Sequence, residues 1–384
     1  MSDARADAAW IADLRRAQPC WERAPSAHNT QPWTLHVDGA RVHLGWEADR
    51  TLPVTDATGR DLRLSLGCLA EAVRLVLADP AHGGHDVGVG WRWQEGERRA
   101  ATFERLGESG PVRAVDAGSD LAGRATPDAS RAPGGLGISG FSGAVARPGA
   151  REFTATAAEV AARRTHRGDY RTAPRAERAL AALNPAFASC GPPTSGLVAL
   201  DADRARRWLG EADRAQFADP AAAAELARWL RWRPADDGLG HEALLAPAWQ
   251  VRALARVLTG SGHWIGHRVG RRIGVPRALA LAAAPRHLGV VLVAHAPAGV
   301  GPQEQCELGR GLLRAWLVAA REGWAVHPLS QLIDVPTTAA RVRALLPDGH
   351  EAVAIFRLGH PPTPAPPSPR LPPTRSKAAL SVEG

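Results

Sequence analysis

The chain has 384 residues, of which 45% are hydrophobic, and it carries a formal net charge of +8. This length and composition predict a folded protein with a sizeable core, in one large domain or two, and exclude an intrinsically disordered chain. Nearly all positive charge comes from arginine, since Lys377 is the only lysine. Because the arginines are scattered, without a dense basic block or interleaved aromatic residues, we expect no nucleic-acid partner.

The four cysteines lie far apart, with no Cys-x-x-Cys spacing, so the sequence predicts neither a zinc site nor a disulfide framework. The first ten residues lack the apolar core of a signal peptide, and no apolar run reaches the ~18–20 residues of a membrane span. The composition, rich in Ala, Arg, Gly and Pro, is typical of GC-rich coding. We therefore expect a cytoplasmic bacterial protein without a membrane partner.

The first hundred residues predict a helix, a hairpin, a second helix and a second hairpin. Residues 7–23 form the first helical segment. Apolar residues alternate on both sides of Asp38-Gly39, a strong hairpin signal. Leucines and valines then recur at helical spacing over residues 61–79, and two further strands are predicted at 87–94 and 100–106.

Residues 108–150 are rich in Gly, Pro and Ser and predict a linker. Within it, residues 135–140 match G-x-G-x-x-G. A dinucleotide site needs a hydrophobic strand before this motif and a helix after it. Pro133 precedes the motif closely and Arg147-Pro148-Gly149 follows it, so we do not interpret it as a dinucleotide site.

The second unit begins near Arg151. Its apolar spacing predicts helices at 153–164, 176–183, 202–216, 304–321 and 337–346, and strands at 196–200, 288–294, 324–332 (with a turn) and 352–358. Residues 219–258 are Trp-rich and predicted helical, within a longer insertion at about 219–286. The tail from Pro361 onward is Pro-rich and predicted to be extended.

Two segments carry the polar residues that a ligand site needs. Residues 24–33 place prolines, hydroxyls, an Asn, a Gln and a Trp between a helix and a hairpin, which suits a loop that reads a planar ligand's edge. The alternative is a loop that only caps a helix and begins a strand. Residues 163–167 end a helix in several arginines, which match phosphate oxygens well, or form a solvated basic face.

No metal site is predicted. His263 and His267 are spaced i, i+4, but the surrounding glycines make a firm helix doubtful and no third ligand is evident. The His82–His85 segment is interpreted as a polar turn.

Pro25-Ser26-Ala27-His28-Asn29-Thr30-Gln31-Pro32-Trp33 resembles the flavin-ring loop of the FMN-dependent nitroreductase family, Pro-Ser-x-x-Asn-x-Gln-Pro-Trp. Arg163-Arg164-Thr165-His166-Arg167 is similar to that family's Arg-Arg-Ser-x-Arg arm, with Thr replacing Ser. The segments 52–56, 327–331 and 368–370 resemble the Acg-type branch, in which one chain carries two nitroreductase-like halves. The resemblance covers residues 24–106 and 153–370.

This resemblance implies an α+β, nitroreductase-like fold whose two similar halves form an intrachain pseudo-dimer, with mixed sheets flanked by helices. The implied organisation is a first half at 1–107, the linker at 108–150, a second half at 151–360 with a helical lid insertion, and the tail at 361–384. Each flavin motif occurs once, the ring loop in the first half and the arm in the second. This implies a single FMN between the halves of a monomer that functions as a pseudo-dimer; whether it associates further is left open.

The resemblance also implies roles for individual residues toward FMN. Residues facing the isoalloxazine would be Pro25, Ser26 and Asn29, while Gln31, Pro32 and Trp33 would fix the loop. Phosphate and ribityl contacts would come from Arg163 and Thr165, with Arg167 toward the N1/O2 edge, Arg370 closing the phosphate from the tail, and Ser330 on the opposite ring edge. No catalytic acid or base is implied, because the flavin carries the hydride chemistry.

The resulting functional expectation is an oxidoreductase that passes hydride from NAD(P)H through FMN to a small organic electron acceptor. Two alternatives stay open. The lid insertion could shut out the nicotinamide, giving a protein that stores or sequesters FMN, or it could form the pocket of a specialised biosynthetic flavin dehydrogenase. The acceptor and the choice between NADH and NADPH are not predicted.

Overall fold

The computed structural model describes residues 2–106, 153–231, 238–240, 274, 277, 285–371 and 381–382. The predictions for the linker, including its Gly-rich motif, and for His263 and His267 lie outside the described residues. Among the described residues, none of the helices combines the length and apolar character that crossing a membrane requires.

The first half follows the predicted order of elements. Its helices are α1 (Ser2–Arg16), α2 (Gln18–Trp21) and α3 (Arg60–Ala78), and its strands are β1 (Trp33–Asp38), β2 (Arg41–Trp46), β3 (Val87–Gln94) and β4 (Arg99–Arg105). The prediction of one helix over residues 7–23 is wrong, because the helix is interrupted at Ala17. Pro19 lacks the N–H that would continue the α1 hydrogen bonds, and its ring would clash with the preceding turn.

The first sheet has the strand order β11-β1-β2-β4-β3, where β11 is Ser381–Val382 from the tail. β11 runs parallel to β1, and the other neighbours are antiparallel. The pair Asp38 and Arg41 closes the first hairpin over a two-residue turn, with Gly39 at φ +58°. That turn requires a left-handed conformation, which glycine adopts without a steric penalty. The predicted Asp-Gly hairpin is confirmed.

The second half contains more helix. Its helices are α4 (Ala157–Ala162), α5 (Ala176–Ala188), α6 (Ala202–Ala218), α7 (Pro220–Arg228), α8 (Pro302–Arg321), α9 (Gln331–Asp334) and α10 (Pro336–Arg343). Its strands are β5 (Gly196–Leu200), β6 (Leu230–Arg231), β7 (Leu239–Gly240), β8 (Val290–Pro297), β9 (Ala325–Pro328) and β10 (His350–Gly359). The second sheet is antiparallel in the order β5-β8-β10-β9, and β6 pairs with β7.

Two of the predicted helices in this half are too long. The segment 153–164 is helical only in α4, because Thr156 caps its beginning together with Glu159, and Arg163 leaves the helical region at φ −57°, ψ 135°. In the segment 219–258, helix is described only in α7. It ends at Arg228, and Leu230 and Arg231 form β6. Residues 232–237 and 241–258 lie outside the described part.

The two halves are similar and meet at α3 and α8, which cross at two glycines. A Cβ on Gly67 would lie 1.9 Å from the Cys306 carbonyl oxygen, and a Cβ on Gly309 would lie 2.3 Å from that of Leu64. Both glycines therefore let one helix backbone rest against the other. Gly67 and Gly309 are 242 residues apart, as are Leu64 and Cys306, so the crossing has a pseudo-two-fold axis.

A hydrogen bond beside the crossing follows the same symmetry, since Arg63 Nη1 donates to Gln305 Oε1 at 2.9 Å across 242 residues. One hydrophobic core extends through both halves and includes Trp10, Leu69, Leu313 and Phe356, all completely buried. Each such side chain stabilises the fold by roughly 1.5–3 kcal/mol. The α+β fold class with two similar halves is confirmed, while the domain bounds given above stay predictions.

Candidate functional site

The predicted ring loop connects α2 to β1 in an unusual backbone conformation. Three of its residues that are not glycine have positive φ: His28 at 47°, Asn29 at 57° and Gln31 at 48°. Such conformations cost about 1–3 kcal/mol for most side chains and cluster at functional sites. The loop is therefore held by its surroundings rather than by local preference.

Side chains of the loop itself supply part of that support. Ser26 Oγ accepts the backbone N–H of Gln31 at 3.0 Å, and Gln31 Nε2 donates to the Asn29 carbonyl at 3.2 Å. Ser65 of α3 accepts from Ala27 N at 3.3 Å. Gln31 thus fixes the loop, as predicted. Pro25, beside Ser26, is half-buried.

Asn29 joins the loop to two distant parts of the chain. Its amide Nδ2 donates to the carbonyls of Gly238 and Pro369, both at 2.9 Å, and its Oδ1 accepts from Arg370 Nη1 at 2.8 Å. Both polar atoms of the Asn29 side chain are therefore engaged within the protein. The predicted facing of Ser26 and Asn29 toward a ring stays a prediction.

Arg163 leaves the end of α4 and inserts its guanidinium beside the ring loop. Nη2 donates to the Arg23 carbonyl at 3.3 Å, while the buried Nε and Nη1 have no hydrogen-bond partner among the residues that the structure describes. The residue is only 7% exposed, and its guanidinium lies 5.9 Å from the Trp316 ring centroid. Buried polar groups are nearly always paired, so two unpartnered donors on one cation indicate a missing anion.

Other arginines converge on the same place and raise the local positive potential. Burial lowers the pKa of Arg163 to about 10, and the neighbouring charges of Arg164 and Arg23 act in the same direction. The tail residue Arg370 is half-buried and donates to the carbonyls of Glu22 and Ala24. Burial, followed by repulsion from Arg23, holds the pKa of Arg370 well below its usual value. A phosphate would relieve these repulsions.

The rest of the arm runs beside β9. Thr165 forms a parallel bridge with Val326, and burial lowers the pKa of Arg167 to about 10. Arg357 Nε donates to His327 Nδ1 at 3.0 Å. Because arginine can only donate, Nδ1 of His327 must be the acceptor, which places any ring proton on Nε2. Burial, with the charges of Arg167 and Arg357, holds the pKa of His327 well below its usual value.

Ser330, the predicted contact on the opposite ring edge, lies three residues after His327 and directly precedes α9 as its N-cap. Its carbonyl accepts from Ile333 N and Asp334 N. The structure thus brings Arg370 into direct contact with the ring loop and Arg163 into contact with Arg23, directly before the loop. Arg167 is close enough to influence Arg163. The roles of Thr165, Arg167 and Ser330 toward a ligand stay predictions.

Sequence reasoning missed three residues of this region. Arg23 supplies a carbonyl to Arg163 and donates to Ser368 O at 3.0 Å. His28 has a buried Nδ1 without a partner, and burial lowers its pKa. Glu225 of α7 accepts hydrogen bonds from a turn next to the loop. For Arg23, its position directly before the loop was an available signal; the other two depend on distant packing.

The residues present fit a phosphorylated ligand. Two donors of Arg163 lack partners among the described residues, and Arg23, Arg164 and Arg370 add positive charge around them. This arrangement suits a phosphate because guanidinium groups match its oxygens. The strained loop beside them supplies backbone groups at a fixed position.

Comparison with known proteins finds sequence similarity over a short stretch. A protein of Mycobacterium tuberculosis described as "Putative NAD(P)H nitroreductase acg" is 39% identical over 56 residues, which cover 15% of this chain and 17% of that protein. The chain resembles nitroreductases. An uncharacterized protein of the same organism is 37% identical over 59 residues, covering 14% of this chain and 17% of its own length. The matches thus span about a sixth of these relatives, and no family model matches the chain.

Solved structures of nitroreductases align over a little more than half of the chain. A nitroreductase with bound FMN from Bacteroides fragilis is 14% identical, with a TM-score of 0.30, and the alignment covers 53% of this chain and 87% of that one. The FMN-dependent nitroreductase NfnB from Mycobacterium smegmatis, in complex with NADPH, is 17% identical, with a TM-score of 0.29 over 58% of this chain and 90% of that one.

Proposed function

We propose that the protein is an FMN-binding oxidoreductase of nitroreductase type, which takes hydride from NAD(P)H and reduces a small organic acceptor. The observation that carries the proposal is the buried guanidinium of Arg163, whose Nε and Nη1 lack partners directly beside the nine-residue loop. The match of that loop and of the arm to the nitroreductase pattern, together with the similarity to a mycobacterial nitroreductase, supports FMN as the phosphorylated ligand.

The residues would share the binding of FMN between the two halves of the chain. Arg163 would donate to the phosphate, with Thr165 beside it, and Arg370 would close the phosphate from the tail. Pro25, Ser26 and Asn29 would lie along the ring, chiefly through backbone groups, since both polar atoms of the Asn29 side chain are engaged. One FMN per chain is proposed, because each motif occurs once.

When bound, FMN supplies hydride transfer between a nicotinamide and an acceptor. The protein orients the ring, excludes water and sets the electrostatic potential around it. Arg167, proposed at the N1/O2 edge, would stabilise negative charge there. Burial lowers the pKa of Arg167, because its charged form loses hydration. Negative charge on a ligand nearby would offset this loss. Burial and the charges of Arg167 and Arg357 keep His327 neutral, so its ring adds no positive charge to this region.

The test is FMN binding by wild type and by Arg163→Met. Purified wild-type protein is expected to be yellow with a flavin spectrum. The variant should lose roughly 100-fold or more in FMN affinity, because two hydrogen bonds from a charged donor contribute about 1.5–3 kcal/mol each. Quenching of flavin fluorescence gives the affinities. Arg178→Met, which removes an exposed pair with Glu322, is the matched control and should bind as wild type does.

Thermal unfolding of the flavin-free proteins separates loss of binding from loss of fold. Arg163→Met should not be less stable than wild type, because it removes a buried charge that has no anionic partner among the described residues. Wild-type protein that is colourless and takes up no FMN would overturn the proposed function. Unchanged FMN affinity in Arg163→Met would refute the phosphate assignment while leaving FMN binding in place.

FMN storage is the second candidate, favoured by the way α7 and β6–β7 lie against the loop. Gly238 O accepts from Asn29, and Arg228 Nη2 donates to the Asp49 carbonyl at 3.0 Å. A ring covered by this segment would be poorly accessible to a nicotinamide. Anaerobic addition of NADH or NADPH decides between the candidates, because rapid bleaching of bound FMN supports turnover and its absence supports storage.

A further inference from the structure

The turn between β2 and α3 holds a carboxylate from the other half of the chain. Glu225 of α7 accepts the backbone N–H of Val54 on Oε2 and the backbone N–H of Thr55 on Oε1, both at 2.9 Å. The hydroxyl of Thr55 donates to the same Oε1 at 2.5 Å. Glu225 is 8% exposed, so the three donors replace most of its hydration.

Successive backbone N–H groups that point to one spot form an anion-binding nest. We call the two N–H groups of Val54 and Thr55, with the Thr55 hydroxyl, the Val54–Thr55 nest. Its three donors carry no formal charge and act through N–H and O–H dipoles, which suit any anionic oxygen group. A ligand other than a protein carboxylate can therefore fit the donors that now hold Glu225.

The nest lies next to the proposed flavin site. Arg50, a few residues before it, donates from Nε to the Thr30 carbonyl of the ring loop at 2.6 Å. A small cavity is lined both by the loop, through Ala27 and Thr30, and by the turn, through Leu52 and Asp56. Val54 itself is 42% exposed. The nest therefore lies on a solvent-facing turn beside the ring loop.

We propose that the Val54–Thr55 nest is a binding site for a phosphate group of the dinucleotide reductant, and that Glu225 occupies it as a built-in competitor. The reductant must displace the carboxylate to bind, which couples its entry to movement of α7. This inference rests on the proposed function for the identity of the ligand, but the anion site itself does not depend on flavin.

The first experiment measures binding of inorganic phosphate by phosphorus NMR, with and without FMN. Glu225→Ala should bind one more phosphate ion per chain than wild type in both conditions. Adding Thr55→Val to Glu225→Ala should weaken that extra site about fivefold, because a hydrogen bond contributes about 1 kcal/mol. An equal number of bound phosphates in wild type and Glu225→Ala overturns the nest as an anion site, whether or not the protein binds FMN.

The second experiment measures anaerobic reduction of the FMN-loaded protein at increasing NADPH or NADH. The apparent Kd of the reductant should fall about tenfold in Glu225→Ala, because a tethered competitor acts at an effective concentration in the millimolar range. A gain with both reductants identifies the pyrophosphate as the ligand group, and a gain with NADPH alone identifies the 2′-phosphate. An unchanged Kd in a protein that keeps its FMN overturns the inference and leaves the proposed function standing.

Arg228→Ala is the matched control for a general loosening of α7. It removes the hydrogen bond to the Asp49 carbonyl and leaves the Val54–Thr55 nest occupied by Glu225. The apparent Kd should stay within twofold of wild type. A fall as large as that of Glu225→Ala would show that opening of the segment, rather than release of the nest, admits the reductant, and would overturn the proposed competition.

Discussion

Two sites related by the pseudo-two-fold axis contain buried arginines, and they differ in whether the protein supplies a carboxylate to pair with them. Arg163 is flanked by Trp316 and influenced by Cys68, and it keeps two donors without partners. The pseudo-two-fold axis relates positions that are 242 residues apart. Arg74 therefore corresponds to Trp316, and Arg310 corresponds to Cys68. There both Arg74 and Arg310 donate hydrogen bonds to a buried carboxylate.

Glu71 provides the counter-charge at that second place. It is completely buried in α3 and accepts from Arg310 Nε at 2.8 Å, Arg314 Nε at 2.7 Å and Arg74 Nη2 at 3.0 Å. Although burial alone would raise it, these arginines hold the pKa of Glu71 well below its usual value. One half-site thus contains its own anion, and the other leaves its cation for a ligand. This difference supports the proposal of one FMN per chain.

The largest expected effect comes from removing the internal anion. Glu71→Gln leaves three buried arginines without their shared carboxylate and should lower the free energy of unfolding by about 3–5 kcal/mol. Urea unfolding followed by circular dichroism measures it. In Glu159→Gln, which removes a half-exposed pair with Arg321, the loss should be about 1 kcal/mol or less. Equal losses in the two variants would mean that the second place is an ordinary ion pair and the comparison fails.

The next prediction concerns a carboxylate that is buried without a cation. Asp213 in α6 is 7% exposed, and Gln331 Nε2 donates to its Oδ1 at 3.0 Å. Burial raises the pKa of Asp213 to about 6 from a usual value of 3.8. A carboxyl whose pKa is raised in the folded state is stabilising while protonated, so this contribution is lost as pH rises from about 4 to about 6.

Asp213→Asn should remove that pH dependence. The wild-type free energy of unfolding should fall by about 2–2.5 kcal/mol more than that of the variant between pH 4 and pH 7. Urea unfolding at a series of pH values gives the difference curve. Parallel curves would show that ionisation of Asp213 costs no folding free energy. A buried carboxylate would then not need neighbouring arginines, and the arginines around Glu71 would not distinguish it from Asp213.

The site around Arg163 is visible in the sequence as local motifs, whereas the cluster around Glu71 is not. The ring loop and the arm are contiguous motifs, and the Asp38-Gly39 hairpin follows from local turn chemistry. Thr156 and Glu159 also form a recognisable capping box, which would have corrected the beginning of α4. Glu71, in contrast, is one polar residue on a predicted helix, and Arg310 and Arg314 lie about 240 residues later, so no local pattern joins them.

The same distinction applies to Asn29 and Glu225. Their residue types are visible in the sequence, but their partners depend on how α7 and the tail pack against the first half. Gly238 O and Pro369 O are backbone groups, which carry no signal in the identity of the side chain. Contacts of this kind become evident only once the fold is known.

The smallest expected effect tests the axis that relates the two places. Gly67→Ala and Gly309→Ala each put a Cβ into a backbone carbonyl of the opposite helix and should each cost about 1–3 kcal/mol. Because the two contacts correspond across the pseudo-two-fold axis, the two losses in urea unfolding should agree within about 1 kcal/mol. Gly210→Ala is the control, since no atom lies within 4 Å of its Cβ position in α6, and it should raise stability slightly.

Agreement between Gly67→Ala and Gly309→Ala would mean that the helix crossing kept its symmetry while the sites on either side of it diverged. A loss confined to one of them would place the divergence in the crossing itself. In that case the arginines around Glu71 and the unpartnered donors of Arg163 would reflect two different helix packings. The presence of Glu71 in one site and of a ligand's phosphate in the other would then not explain how the two sites differ.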